Sequence, residues 1–153
     1  MFEEALVEAY DRLRPLSNKP VRAVCYAPFT SMYLDTYGLV RACCVNRRYV
    51  LGDLKEQRLD EVWFGARAKM LRDAMKRYDM LLGCEFCDWQ IKNGNFTDPR
   101  THQASVHARK YDMFGVVQTS DARYWPTNLE FNLSNTCNLE CVTCNGEDRK
   151  SVV

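Results

Sequence analysis

Ser31-Met32-Tyr33-Leu34-Asp35-Thr36-Tyr37-Gly38-Leu39-Val40-Arg41-Ala42-Cys43 decides how the middle of this chain folds. Two short runs rich in apolar and aromatic residues, Ser31 to Asp35 and Leu39 to Cys43, flank Thr36-Tyr37-Gly38. That pattern predicts a β-hairpin with Gly38 where the backbone needs a positive φ. A hairpin folds its outer end back on itself, so Cys43 returns toward Cys25. Farther along, Gly83-Cys84-Glu85-Phe86-Cys87 supplies a tight C-x2-C turn, and thiols from distant segments are then able to converge on one site.

Outward from the hairpin, the apolar periods predict helices. Phe2, Ala5, Leu6, Ala9 and Leu13 recur at helical spacing, giving an amphipathic helix from about Glu3 to Arg14 that Pro15 ends. Leu59, Val62 and Trp63 fit a short helix stopped at Gly65, and Met70, Leu71, Ala74, Met75 and Tyr78 make the stripe of a second. Methionines in such a stripe read as core filler. From Lys92 to about Thr127 the sequence turns polar, with Asn93-Gly94-Asn95, Asp98-Pro99 and Trp125-Pro126 as breakers, and reads as an irregular linker or variable insert. His102 and His107 fall within it and read as surface or structural histidines. Asn128 to Leu133 is a strand-like run.

A chain of 153 residues suits one domain and is too short for a complete barrel plus a second module. Lys plus Arg (21) balance Asp plus Glu (20), so net charge gives no pull toward nucleic acid or an anionic membrane, and neither is expected as a partner. Glu3 and Glu4 stand where an export signal would be basic, and no apolar run of about 18 residues is present. The expected location is the cytoplasm. Eight cysteines kept reduced there point to metal or cluster ligation ahead of disulfides.

Cys137, Cys141 and Cys144 form a C-x3-C-x2-C triplet directly after the Asn128 to Leu133 run. Three thiolates on one loop are able to hold three corners of a 4Fe-4S cube and leave its fourth iron open. With the lead-in Leu129-Glu130-Phe131-Asn132-Leu133-Ser134-Asn135-Thr136, the segment resembles the first strand and cluster loop of the radical S-adenosylmethionine (radical SAM) family. Upstream, the C-x12-G-x4-C spacing of Cys25, Gly38 and Cys43, followed by Cys84 and Cys87, resembles the SPASM and twitch auxiliary-cluster modules that accompany such enzymes. The C-x5-C-x3-C ligands of a two-cluster SPASM domain are missing, which brings the match closer to the one-cluster twitch type.

The resemblance implies an α+β fold: a small auxiliary domain at 20–92, built on a hairpin, helices and a four-cysteine site, after an N-terminal helix at 1–19. A linker or insert at 93–123 would lead to the opening strand, cluster loop and first helical turns of a partial radical SAM (β/α) barrel at 124–153. It implies 4Fe-4S clusters, S-adenosyl-L-methionine chelated at the triplet, its reductive cleavage to a 5'-deoxyadenosyl radical, an external electron donor and a peptide or protein substrate. Only nine residues follow Cys144, whereas a (β/α) barrel needs on the order of 200. The chain is therefore expected to be truncated or one half of a split enzyme, with a barrel-bearing partner chain.

Alternatives stay open at the auxiliary site. A structural zinc ion uses the same four thiolates, and Arg22, Arg41, Arg47 and Arg48 would offset the charge of either centre. Neighbouring strand residues face opposite ways, so Cys43 and Cys44 should not both face one metal; spacing selects Cys43, with Cys44 the alternate. Trp63, Phe86 and Trp89 would shield a cluster from water. A cluster-binding electron-transfer module without turnover, or a zinc-stabilised interaction domain, are the readings from other functional classes.

Overall fold

The computed structural model describes residues 3–14, 16, 22–118 and 124–132. Ser31–Leu34 (β1) and Leu39–Arg41 (β2) form the expected hairpin, in antiparallel register Tyr33↔Arg41 and Leu34↔Val40. Gly38 takes φ +87°, a conformation that costs a residue with a Cβ roughly 1–2 kcal/mol. Asp35 closes the turn: its carboxylate accepts the Tyr37 and Leu39 N–H groups, each at 2.9 Å, and pairs with Arg41. Burial alone would raise its pKa, but the Arg41 guanidinium and these amides outweigh it and hold the carboxyl below its usual range.

Gly52–Asp53 (β3) pairs antiparallel with β2, and Asn128–Phe131 (β4) pairs parallel with β1, Ser31 opposite Asn128 and Leu34 opposite Phe131. The sheet order is β3-β2-β1-β4. The strand-like run that leads toward the cysteine triplet thus joins the hairpin's own sheet, as its edge among the described residues. Leu129 and Phe131 are exposed on one face of β4, while Glu130 on the other pairs with Arg100.

Helices cover the sheet: Glu4–Leu13 (α1), Ala27–Thr30 (α2), Leu59–Trp63 (α3), Ala66–Lys76 (α4), Glu85–Lys92 (α5) and Arg100–Lys110 (α6), then a 3-10 turn at Met113–Gln118. The first helix falls where its period placed it; Phe2 and Pro15 lie outside the described residues. The third stops just before Gly65. In α4 the buried face is Ala68, Leu71, Arg72, Ala74 and Met75, so Met70, 55% exposed, is surface and not core filler. Tyr78 follows the helix at φ +56°.

The expectation of an irregular stretch between Lys92 and Thr127 needs correcting. Residues 100–110 are helical, and Thr101, Ala104, Ser105 and Ala108 are buried at i, i+3, i+4 and i+7. A stripe of such small residues buries by close approach of backbones and carries little hydrophobic signal. Pro99, read as a breaker, occupies the N-cap, where a missing N–H removes nothing the helix uses.

The core between sheet and helices holds Tyr26, Phe29, Met32, Val40, Trp63, Leu71 and Met75. Buried Trp63 donates its indole N–H to the Tyr124 carbonyl at 2.7 Å and has the Arg72 guanidinium 4.2 Å above its ring. Arg72 donates to the Pro28 carbonyl at 2.9 Å, tying α4 to α2. No described helix is long and apolar enough to cross a membrane.

Candidate metal centre

Five cysteines fall within the described residues, all as free thiols, and three chain segments carry them. The segment before Cys25 is held by Arg14, a buried cation of α1 that pairs with Asp11 and lies 4.4 Å from the Tyr10 ring centre. Its guanidinium donates to the Ala23 and Val24 carbonyls, each at 2.9 Å, while the Val24 N–H donates to the Met75 carbonyl at 2.9 Å. Cys25 follows this pinned backbone, and the Ala27 N–H at the start of α2 donates to its sulfur at 3.4 Å.

Cys43 and Cys44 lie past the end of β2, in a bend that begins at Ala42. Strand alternation therefore does not govern which way they face. Burial raises the Cys43 thiol pKa, and the backbone of Asn46 and Val45 draws it partly back. Asn46 then spans to the third segment, donating its side-chain amide to the Leu82 carbonyl at 2.9 Å and to the Cys84 sulfur at 3.4 Å. Its oxygen accepts the Tyr49 N–H at 3.1 Å. Cys84 is the N-cap of α5, and Cys87 lies on the buried side of that helix with Ile91.

These sulfurs feel one another. Burial pushes the Cys25 thiol well up, and Cys43, Cys84 and Cys87 each push it further. Burial likewise raises Cys84, with Cys43 and Cys87 adding to it, and raises Cys43, where Cys87 and Cys44 add to it. Every pairing within Cys25, Cys43, Cys84 and Cys87 thus interacts, and Cys44 interacts with Cys43 and Cys87. Cys87 is also raised by burial, but the Arg100 and Thr101 N–H groups and the Arg100 charge draw it back. Among the described residues, no group of three or more His, Cys, Asp or Glu is arranged to hold a metal ion as it stands. The four sulfurs therefore share one neighbourhood without forming a single-ion shell. Buried thiols that oppose one another's ionisation become thiolates together only beside a compensating positive centre, which suits the donor set to a cluster or metal.

Some residues proposed as supports sit elsewhere: Arg22 pairs with Asp11 at 3.5 Å and Arg41 with Asp35. Arg48 stays near the site, pairing at 3.7 Å with Glu85, the neighbour of Cys84. Trp63 belongs to the core around Arg72. Phe86 and Trp89, 57% and 61% exposed, stack on each other at 6.5 Å on the outer face of α5, because Cys87 and Ile91 take its inner face. They do not screen the sulfurs from water. His107 is structural as expected, its Nε2 sharing a hydrogen bond of 2.8 Å with the Thr127 hydroxyl. Arg14, Asn46 and Arg100 have roles that no local pattern announced. Cys137, Cys141 and Cys144 lie outside the described residues.

Residues 25–88 match the family model of SPASM, an iron-sulfur cluster-binding domain. The match opens on Cys25 and closes one residue after Cys87, so it encloses all four cysteines of the neighbourhood and the hairpin between them. No curated protein and no solved structure matches the chain. An iron-sulfur centre is thus what both the matched segment and its thiol set support.

Proposed function

We propose that Cys25, Cys43, Cys84 and Cys87 hold a 4Fe-4S cluster, as the auxiliary site of a radical SAM protein whose S-adenosylmethionine-binding cluster sits on Cys137, Cys141 and Cys144. The observation that carries the auxiliary site is the mutual interaction of four thiols, Cys25 and Cys87 buried and Cys43 and Cys84 half-buried, from three segments inside the matched SPASM stretch. A zinc ion draws its sulfurs to about 2.3 Å from one centre, whereas a cubane distributes its ligands over separate irons. The match of residues 25–88 to an iron-sulfur cluster-binding family model, which encloses all four cysteines, favours the cluster.

When bound, the auxiliary cluster supplies one-electron transfer, and the triplet cluster supplies reductive cleavage of S-adenosylmethionine. The chain's own residues prepare the auxiliary site. Arg14 fixes the backbone ahead of Cys25, Ala27 donates an amide to its sulfur, and Asn46 joins the Cys43 bend to Cys84. Amide donors at sulfur stabilise thiolate and favour added electron density on the centre. β4 ties the lead-in of the triplet to the hairpin through β1, which supports a role for the auxiliary site alongside the triplet. An external electron donor and a peptide or protein substrate complete this reading, with a barrel-bearing partner wherever the barrel is not carried on the same polypeptide.

Anaerobic reconstitution of a variant with Cys137, Cys141 and Cys144 all changed to Ala tests the auxiliary assignment. About four irons and matching sulfide, with broad visible absorption, are expected. Stoichiometric zinc with negligible iron would replace the cluster by a structural ion.

A further inference from the structure

We propose that the cleft between α6, β1 and β4 binds a neutral peptide group of the substrate, with the Gln103 side-chain NH2 as donor and the Asn128 side-chain oxygen as acceptor. The inference rests on the peptide-substrate reading above and gives that substrate a binding point formed largely by residues beyond 25–88.

The cleft has a volume of about 160 Å³ and opens where small side chains meet, Ala27 of α2, Ser31 of β1 and Ala104 of α6. That volume is well below the roughly 300–1,000 Å³ of a drug-sized or cofactor pocket, so it takes a single group and not a nucleotide. Its charges cancel. Arg100 pairs with Glu130, while burial and then the Lys110 charge lower the pKa of His107 and leave its ring neutral at pH 7. A charged ligand would find no spare counter-charge there, which disfavours it. Hydrogen bonds in the walls fix which amide atoms stay open. Gln103 accepts from the Arg100 guanidinium through Oε1 at 2.9 Å, which leaves its NH2 to donate. Asn128 donates through Nδ2 to the Ser31 hydroxyl at 3.4 Å and to the Glu130 carboxylate at 3.2 Å, which leaves its Oδ1 to accept. One donor and one acceptor match a peptide group, whose carbonyl takes the first and whose N–H takes the second. A carboxylate only accepts and an ammonium only donates, so either would leave one of the two unmet. Cys43 also lines the cleft, so a peptide group bound there lies against a proposed cluster ligand.

Ligand-observed NMR on the whole chain, reconstituted anaerobically, measures the binding. The probe is N-acetylglycine N-methylamide, a neutral molecule with two peptide groups; acetate and propionamide are its comparators. Gln103→Glu keeps the oxygen that Arg100 uses and removes only the donor, at an exposed helical position where the fold tolerates it. Saturable binding of the probe is expected, and Gln103→Glu should weaken it roughly tenfold, as the loss of one hydrogen bond implies. Trp89→Ser, on the outer face of α5, should leave it unchanged. Propionamide copies an Asn or Gln side chain, so tighter binding of propionamide than of the probe would overturn the backbone assignment. Acetate that binds more tightly than the probe and depends on Gln103 would keep the cleft as a site and reject a peptide as its occupant. If no ligand shows binding that depends on Gln103, the cleft is not the site, and the peptide-substrate reading stands without it.

Discussion

Gly83→Ala strikes the junction between the Cys43 bend and the C-x2-C turn, and its cost is worked out from two separate clashes. Gly83 has φ +76°, where a Cβ costs roughly 1–2 kcal/mol. The added carbon would also stand well inside van der Waals contact of the Asn46 side-chain oxygen and 2.9 Å from the Tyr49 nitrogen. Asn46 would have to move, giving up its bonds to Tyr49, Leu82 and the Cys84 sulfur. Leaving such buried groups unpaired costs about 1–3 kcal/mol. The expected total, about 2–5 kcal/mol, is a large part of a typical domain's stability of roughly 5–15 kcal/mol. Anaerobic urea unfolding followed by circular dichroism would measure it, together with iron content after reconstitution. The mechanism makes a sharper claim in a double-mutant cycle with Asn46→Ala. Once Asn46 is gone, Gly83→Ala should cost only its backbone strain and the contact with the Tyr49 nitrogen, so the pair couples by about 1–3 kcal/mol. Additive costs would refute the Asn46 clash as the cause.

Two further perturbations have signs fixed by the structure. Removing the exposed pair with Phe86→Ser and Trp89→Ser should leave stability within about 0.5 kcal/mol per site and iron content unchanged; a loss of iron would restore the shielding role that their exposure denies. Because Asp35 is held below its usual range by Arg41 and two amides, its contribution is complete above the ordinary carboxylate value of about 3.9 and is lost as pH falls through its lower folded value. Melts from pH 6 to pH 3 should show the wild type losing its advantage over Asp35→Asn toward the acid end, and parallel curves would contradict the assignment.

The hairpin was legible because its information is local: Gly38 demands a particular turn, and apolar runs on either side have matching length. The stop of α3 just before Gly65 was legible for the same reason. What escaped is nonlocal or weakly apolar. The parallel pairing of β4 with β1 joins residues 31 and 128, and nothing in either strand names its partner. Helix α6 hides its period in Thr101, Ala104, Ser105 and Ala108, small residues that polar neighbours outweigh. Arg14, a charged residue at the end of an amphipathic helix, reads as solvent-facing until the Ala23 and Val24 carbonyls are seen to need donors. Strand alternation argued that Cys43 and Cys44 do not both face one metal, but the strand ends at Arg41 before either cysteine, which leaves the choice of Cys43 to spacing alone.

That choice is also where the four-cysteine site is most directly tested. In the background lacking Cys137, Cys141 and Cys144, each of Cys25, Cys43, Cys44, Cys84 and Cys87 is changed singly to Ser, and iron, sulfide and visible absorption are measured after anaerobic reconstitution. The account predicts that the Cys25, Cys43, Cys84 and Cys87 variants each lose most of the cluster while Cys44→Ser retains about four irons. A Cys43→Ser protein that keeps its cluster, or a Cys44→Ser protein that loses it, would contradict the ligand set.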